Sequence, residues 1–461
     1  MRKQILILSL ILTAFFASCS KDEEVNVDLN AVLNFSKDSV LFDTVFTSVG
    51  STNRRLKIFN GNEKAININN VRLAGGATSA FSLNINGVAA TETSNLKING
   101  TDSINLFVKV NINPTNENLP FIVQDSVLFY YNGKKQSIPL IAYGQNAIFV
   151  NGETIKENTV WDSKLPYIIY KSVSVAKDAQ LTLNAGTRIL FHGNSTMSIK
   201  GTLIANGTKK DSILFASDRL EKMYQDESGQ WNGLHFYSES KNSRINYAIL
   251  KNAVAGITVD SLSVNKNPKL LLNNSIIKNM QVVGFLGYQT ELTAFNNLFY
   301  NCGQYLLYGV GGGKYNLKHN TFAGFNIDFV RRTPAVYFSD FISSTQASNL
   351  NLQLTNNIIW GTLADEFAIE KKGQQTQINS DIKNNLLKTN QGNLANAGNI
   401  FNTDPQFIDV EKQNFNLSKS SIAQNKGLNL TNDPYFSDFL KKDLNGKSRI
   451  FPYELGCYEN K

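Results

Sequence analysis

The chain has 461 residues, of which 42% are hydrophobic and 18% charged, with a formal net charge of +8. The positive balance is spread along the sequence without Lys or Arg blocks. It leaves no footprint for nucleic acid and only a weak pull toward acidic glycans or an anionic surface.

The chain opens Met1-Arg2-Lys3, followed by an apolar run from Ile5 to Ser18 that is broken only by Ser9 and Thr13. Such a run is short for a bilayer span and fits the core of a secretory signal. It ends Phe16-Ala17-Ser18-Cys19, which resembles the lipobox of bacterial lipoproteins. The resemblance implies cleavage after residue 18, lipidation of Cys19 and attachment to the outer membrane. Removing residues 1–18 takes Arg2 and Lys3 and lowers the charge from +8 to +6. The next residues, Ser20-Lys21-Asp22-Glu23-Glu24, resemble the acidic export signal of surface lipoproteins of the Bacteroidetes. They imply display on the cell exterior, with retention on the periplasmic face as the alternative. Residues 19–31 are expected as a flexible tether.

Residues 32–146 alternate apolar and polar positions in stretches such as Leu56-Lys57-Ile58-Phe59 and Ile104-Asn105-Leu106-Phe107-Val108. Turn chemistry separates them, as at Asn60-Gly61-Asn62 and Asn132-Gly133. About seven short strands with this spacing predict an antiparallel β-sandwich. Phe42-Asp43-Thr44-Val45-Phe46, Lys57-Ile58-Phe59-Asn60, Asp102-Ser103-Ile104 and Ala142-Tyr143-Gly144-Gln145 resemble the immunoglobulin-like modules at the front of many Bacteroidetes surface proteins. Residues 147–165 are expected as a linker.

Beyond residue 166 one pattern recurs: Asn273-Asn274-Ser275-Ile276, Asn296-Asn297-Leu298-Phe299, His319-Asn320-Thr321-Phe322, Asn356-Asn357-Ile358-Ile359 and Asn384-Asn385-Leu386-Leu387. Aligned on the second Asn, the steps are 23, 23, 37 and 28 residues. A period in the twenties that carries strand-sized apolar runs predicts a solenoid with a parallel strand in every coil. Asn suits the bend because it tolerates left-handed backbone, and stacked amides can bond from coil to coil. Earlier stretches such as Leu181-Thr182-Leu183-Asn184-Ala185-Gly186-Thr187 and Ile199-Lys200-Gly201-Thr202-Leu203 resemble the opening coils of right-handed parallel β-helix proteins of the pectate-lyase-like superfold. The fold class is therefore expected to be all-β: the sandwich, then a right-handed parallel β-helix of nine or ten coils over 166–400. Residues 401–461, with Asp404-Pro405-Gln406-Phe407 and Glu454-Leu455-Gly456-Cys457-Tyr458, resemble a terminal segment found behind bacterial β-helices and are expected to cap the last coil. Cys302 and Cys457 either pair or remain as two buried free thiols.

The hydrolases of the superfold carry an Asp-Asp pair, a Gly-His-Gly and an Arg-x-Lys strand; this chain has neither of the first two, and its Arg55-Leu56-Lys57 falls in the 32–146 region, ahead of the expected β-helix. Two carboxylates facing one glycosidic bond are not legible either: Asp260 and Asp328 are isolated, and Asp365-Glu366 reads as a loop. The insertion Asp218–Gln230 lacks an Asp-x-Asp-x-Asp series, and His192, His235 and His319 share no ligand spacing, so no metal or cofactor is expected. Trp231 and Trp360 fit coil corners. The 37-residue step marks a second insertion over 328–348, the place where solenoids carry binding residues. Its Arg331, Arg332, Tyr337, Phe338 and Phe341 are the candidate ligand-binding set: arginines to grip an acidic sugar, aromatic rings to stack on it. The expected function is a non-catalytic envelope lipoprotein that binds polysaccharide or another envelope component. The alternative is a polysaccharide lyase or hydrolase with a non-standard site near Arg331 and Arg332, and a third reading is adhesion through the sandwich.

Overall fold

A computed structural model describes residues 24–326, 330–343 and 345–460. Cys19 and Asp328 lie outside them. The chain divides into two units, residues 1–146 and 147–461. Among the described residues no helix is long and apolar enough to cross a membrane.

The first unit is a sandwich of two five-stranded sheets, ten strands where the turn spacing predicted about seven. One sheet orders Leu33–Phe35, Arg54–Asn60, Ser103–Val110, Phe81–Ile85 and Val88–Ala90. The other orders Val40–Phe46, Lys134–Gln145, Phe121–Tyr131, Ile66–Leu73 and Glu92–Ile98. Period-two alternation sends Leu56, Ile58, Leu106 and Val108 of one sheet and Val71, Val127, Phe129 and Leu140 of the other into one core, all fully buried. Among these ten strands every pairing is antiparallel except one: Val40–Phe46 runs parallel to Lys134–Gln145. The Asn60-Gly61-Asn62 turn is fixed from inside, since the buried Asn60 amide donates to the carbonyls of Lys64, Ile98 and Asn99 at 2.9, 3.1 and 3.0 Å.

The second unit is a parallel solenoid with three strand ladders. The first ladder has eleven strands, from Ile148–Val150 to Ile400–Phe401. The second runs from Glu153–Ile155 to Phe367–Glu370, and the third from Thr159–Trp161 to Ile378–Lys383. Residues 147–165 are thus no linker. Their three short strands pair in parallel with the next coil, so the solenoid begins at Ile148. Midway, Val283–Phe295 and Tyr305–Lys318 each pass from the second ladder into the third without a break. They turn the corner through left-handed backbone at Gln289 and at Gly311, Gly312 and Gly313.

Inward positions stack from coil to coil, as in Leu183, Ala205, Ile245, Leu272, Ala294 and Leu317, each fully buried or nearly so. The Trp231 ring lies parallel to Phe191 at 3.9 Å, and its indole N–H donates to the Lys251 carbonyl. It is core, as its expected corner position implied. Cys302 lies in this core and Cys457 outside the first ladder. They are free thiols, and burial pushes each up to about 12.

The Asn-Asn pairs divide their work. Asn274, Asn296, His319, Asn356 and Asn384 hold left-handed backbone. The following residue (Asn297, Asn320, Asn357 or Asn385) is wholly buried and forms an amide ladder. Asn320 shows the unit. Its Nδ2 donates to the Asn357 Oδ1 at 3.0 Å and to the Ala294 carbonyl at 2.9 Å, while its Oδ1 accepts from the backbone and side-chain nitrogens of Asn297. Asn399 ends the ladder, accepting from Asn385. The strand register aligns Ile276 with Leu298, so Ser275, not Asn274, matches Asn297, and the first step is 22 residues.

The closing segment runs back along the outside of the first ladder. Phe415, Leu444 and Cys457 pack on Leu298 and Tyr300, and Leu417 and Leu455 pack on Ile358 and Trp360. The buried Arg449 joins it to the coils, with Nη2 2.9 Å from Asn296 Oδ1 and Nη1 3.1 Å from Glu459.

Candidate functional site

The insertion scatters its five predicted residues. Arg331 is only 3% exposed, and its Nη2 lies 2.6 Å from Glu366 Oε1 and 2.8 Å from the Gly324 carbonyl. Glu366 is fully buried too and also accepts the backbone N–H groups of Leu363 and Ala335 at 2.8 and 3.0 Å. A guanidinium held this way is a structural ion pair, since a buried charge persists only when it is paired and hydrogen-bonded. It cannot reach a ligand. Phe338 is core as well, fully buried with its ring edge-on to Tyr315 at 4.8 Å. Its strand turns alternate residues inward, so Tyr337 faces out and Phe338 in. Arg332 is exposed, and Phe341 lies under the Lys372 ammonium at 4.1 Å.

Tyr337 is the predicted residue that finds company. Along the outer face of the second ladder it stands in register with Tyr308, which in turn aligns with Leu286. Tyr305 stacks on Tyr308 at 4.3 Å, and the Tyr337 ring lies 5.4 Å from Tyr308 and 6.0 Å from Tyr305. Tyr288, 41% exposed, occupies the neighbouring outward row. The Tyr337 hydroxyl donates to Glu370 Oε2, and the Lys372 ammonium lies 2.9 Å from Glu370 Oε1. The Tyr337 bond, then Lys372, holds the Glu370 carboxyl below its ordinary range, while burial and then Glu370 push the Tyr337 phenol upward. Near neutral pH this is a fixed carboxylate beside a neutral phenol, with no group poised to exchange protons.

Toward the N-terminal coils the same face carries His235. Its Nε2 lies 2.8 Å from Asp260 Oδ2, and its ring stacks on Tyr237 at 4.0 Å. Asp260 is in register with Tyr288. Asp260 and Glu370 lie in one outward row, but four strand steps separate them, about 19 Å at roughly 4.8 Å a step. Glycoside hydrolysis needs its two carboxylates about 5 to 9.5 Å apart. These two cannot serve one bond.

The other candidates are engaged singly. Asp218 meets His192 at 2.7 Å, and burial raises its carboxyl against that bond. Glu221 pairs with Arg219 at 3.2 Å, and Asp226 accepts from Asn279 at 2.9 Å. His319 is buried against Asn356 and Tyr453, and its ring is held well below its usual range by desolvation and then by Arg449. Sequence reading missed Tyr288, Tyr305, Tyr308 and Glu370. Aligning the second strand of each coil would have shown them, because Tyr308 and Tyr337 fall at one register position there.

Comparison with known proteins bears on the fold. A family model described as "Right handed beta helix region" matches residues 146–323. The second unit is a right-handed parallel β-helix. Among solved structures, a chaperone, E. coli DraB, is 12% identical over 26% of this chain and 57% of its own, with a TM-score of 0.18. A family 123 glycoside hydrolase from Clostridium perfringens is 10% identical over 28% of this chain and 30% of its own, also with a TM-score of 0.18. The chain therefore spans little more than half of one and under a third of the other, and likenesses this slight carry no functional argument. No curated protein matches the chain.

Proposed function

We propose that this protein is a lipoprotein of the bacterial outer membrane, anchored at Cys19 and facing the cell exterior, with an immunoglobulin-like sandwich ahead of a β-helix that binds polysaccharide without cleaving it. The observation that carries the binding reading is the tyrosine face: Tyr288, Tyr305, Tyr308 and Tyr337 beside Glu370 on consecutive rungs of the second ladder. Tyrosine offers an apolar ring and a polar tip, the combination that suits the alternating apolar and hydroxyl faces of a sugar. The ligand class shifts from the acidic sugar expected of paired arginines. Arg331 is consumed by Glu366, and the carboxylate among the tyrosines is itself an anion. A hydroxyl-rich, uncharged glycan fits this face.

A glycan array and affinity electrophoresis on the mature chain test the reading, with Tyr308→Ala as the probe. Binding to neutral glycans that falls at least tenfold in the variant supports it, and unaltered binding sinks it. Scanning the same mixtures for unsaturated-uronate absorbance tests the lyase alternative, which stands only if absorbance rises with time. Cys19→Ala is expected to release the protein from membrane fractions.

A further inference from the structure

On another ladder the β-helix has a recess. It is a groove of about 230 Å³ whose floor is the outer face of the third ladder and whose wall is Tyr435, at the start of the closing segment's Phe436–Leu440 turn. The floor is a grid set by strand register. Glu291, Lys314 and Asn351 form one row across three strands, and Thr293, Asn316 and Gln353 form the next. Neighbours in each row are about one strand spacing apart, roughly 4.8 Å.

Part of this floor has unused bonding capacity. At the corner next to it, every amide of the Asn ladder is engaged on both sides. On the floor, among the described residues, none bonds to the side chain of Asn316, and its Oδ1 is shut off from solvent as well. Glu291 and Lys314 are register neighbours, yet they form no ion pair. A native structure leaves few buried polar atoms unmet, and those that remain call for an explanation.

We infer that this groove is a second carbohydrate subsite, one that takes an uncharged pyranose ring of a polysaccharide chain. The chemistry follows from the lining. Lys314 can only donate, Glu291 can only accept, and the Asn316 and Gln353 amides do both. A hydroxyl also donates and accepts, so a polyol satisfies all four at once, whereas a carboxylate would be repelled by Glu291. The Tyr435 ring, held against Phe295 at 5.1 Å, gives the wall an apolar surface for the sugar's C–H face. This subsite belongs to a different ladder from the tyrosine face and does not depend on it.

Isothermal titration of the intact chain with cellohexaose, mannohexaose and xylohexaose, and with hexagalacturonate as the charged comparator, tests it. Asn316→Leu and Gln353→Ala are made in the wild-type chain and in Tyr308→Ala. Gln353 is exposed, so its variant keeps the fold, to be checked by circular dichroism. The expected result is that Tyr308→Ala still binds at least one neutral hexasaccharide, and that either groove substitution in that background lowers the affinity at least tenfold. If the groove substitutions abolish binding while Tyr308→Ala has no effect, the groove stands and the tyrosine face falls. Three results overturn the groove: Tyr308→Ala abolishing all binding, groove variants binding as tightly as their parents, or hexagalacturonate being preferred. Absence of binding by any of the four sugars overturns both sites.

Discussion

A single buried pair decides what the 328–348 insertion is for. Removing one partner of a desolvated ion pair strands the other charge, at about 3–5 kcal/mol, whereas replacing both with apolar groups is often close to neutral. Glu366→Gln should therefore lower the urea midpoint sharply, and adding Arg331→Met, which removes the stranded charge while the amide oxygen still accepts from the Leu363 N–H, should recover most of the loss. If the double variant is worse than the single, Arg331 does more than hold the loop. His319 supplies a pH prediction. Its ring stays neutral when folded because burial depresses its pKa, but in the unfolded chain it takes a proton below about 6.5. The unfolded state then binds more protons, so this contribution is present above about pH 6.5 and is lost as pH falls below it. His319→Asn places at this left-handed corner the residue that the other coils use, and Asn356 keeps an acceptor. The variant should flatten stability between pH 7 and 5, as followed by thermal melts; an unaltered slope would place the acid sensitivity elsewhere.

At the scale of elements, the amide ladder and the closing segment share the work of stabilising the coils. Asn320→Ala leaves the Asn297 N–H and the Ala294 carbonyl unmet, each at roughly 1–3 kcal/mol. Its denaturation midpoint should fall well below that of Asn379→Ala, whose exposed side chain makes one bond of 3.1 Å. Truncation after residue 400 uncovers Leu298, Tyr300, Ile358 and Trp360, and should give a chain that binds hydrophobic dyes and aggregates, read by light scattering. These elements also show what the sequence made legible. The solenoid, its period and the Asn corners could be read because coil stacking imposes one residue type at one spacing. The first coil could not be read: its strands, such as Glu153–Ile155 and Thr159–Trp161, are three residues long and carry no Asn corner. The site was half legible. The insertion pointed to Tyr337, but its tyrosine partners come from other coils, and only register brings them together. Arg331 misled because a charge followed by aromatics looks the same in sequence whether it faces solvent or a buried Glu366 some 35 residues on.

For the whole molecule, the two units have separate cores, one of paired antiparallel sheets and one of stacked coils. Residues 24–146 and 147–461 should therefore melt as two calorimetric transitions in the intact chain and reproduce them when expressed apart; a single shared transition would contradict this. The ladder geometry has a consequence for descent. Each coil stacks on the coils above and below it, so duplication of one 22-residue rung would lengthen the tyrosine face and the third-ladder floor together by a single strand spacing. The new Asn would slot into the amide stack, while the closing segment, bonded to the corners at Asn296 and Asn356, would have to stretch by the same spacing. The length of these outer faces is in that sense a heritable quantity, adjustable one rung at a time by recombination within the gene.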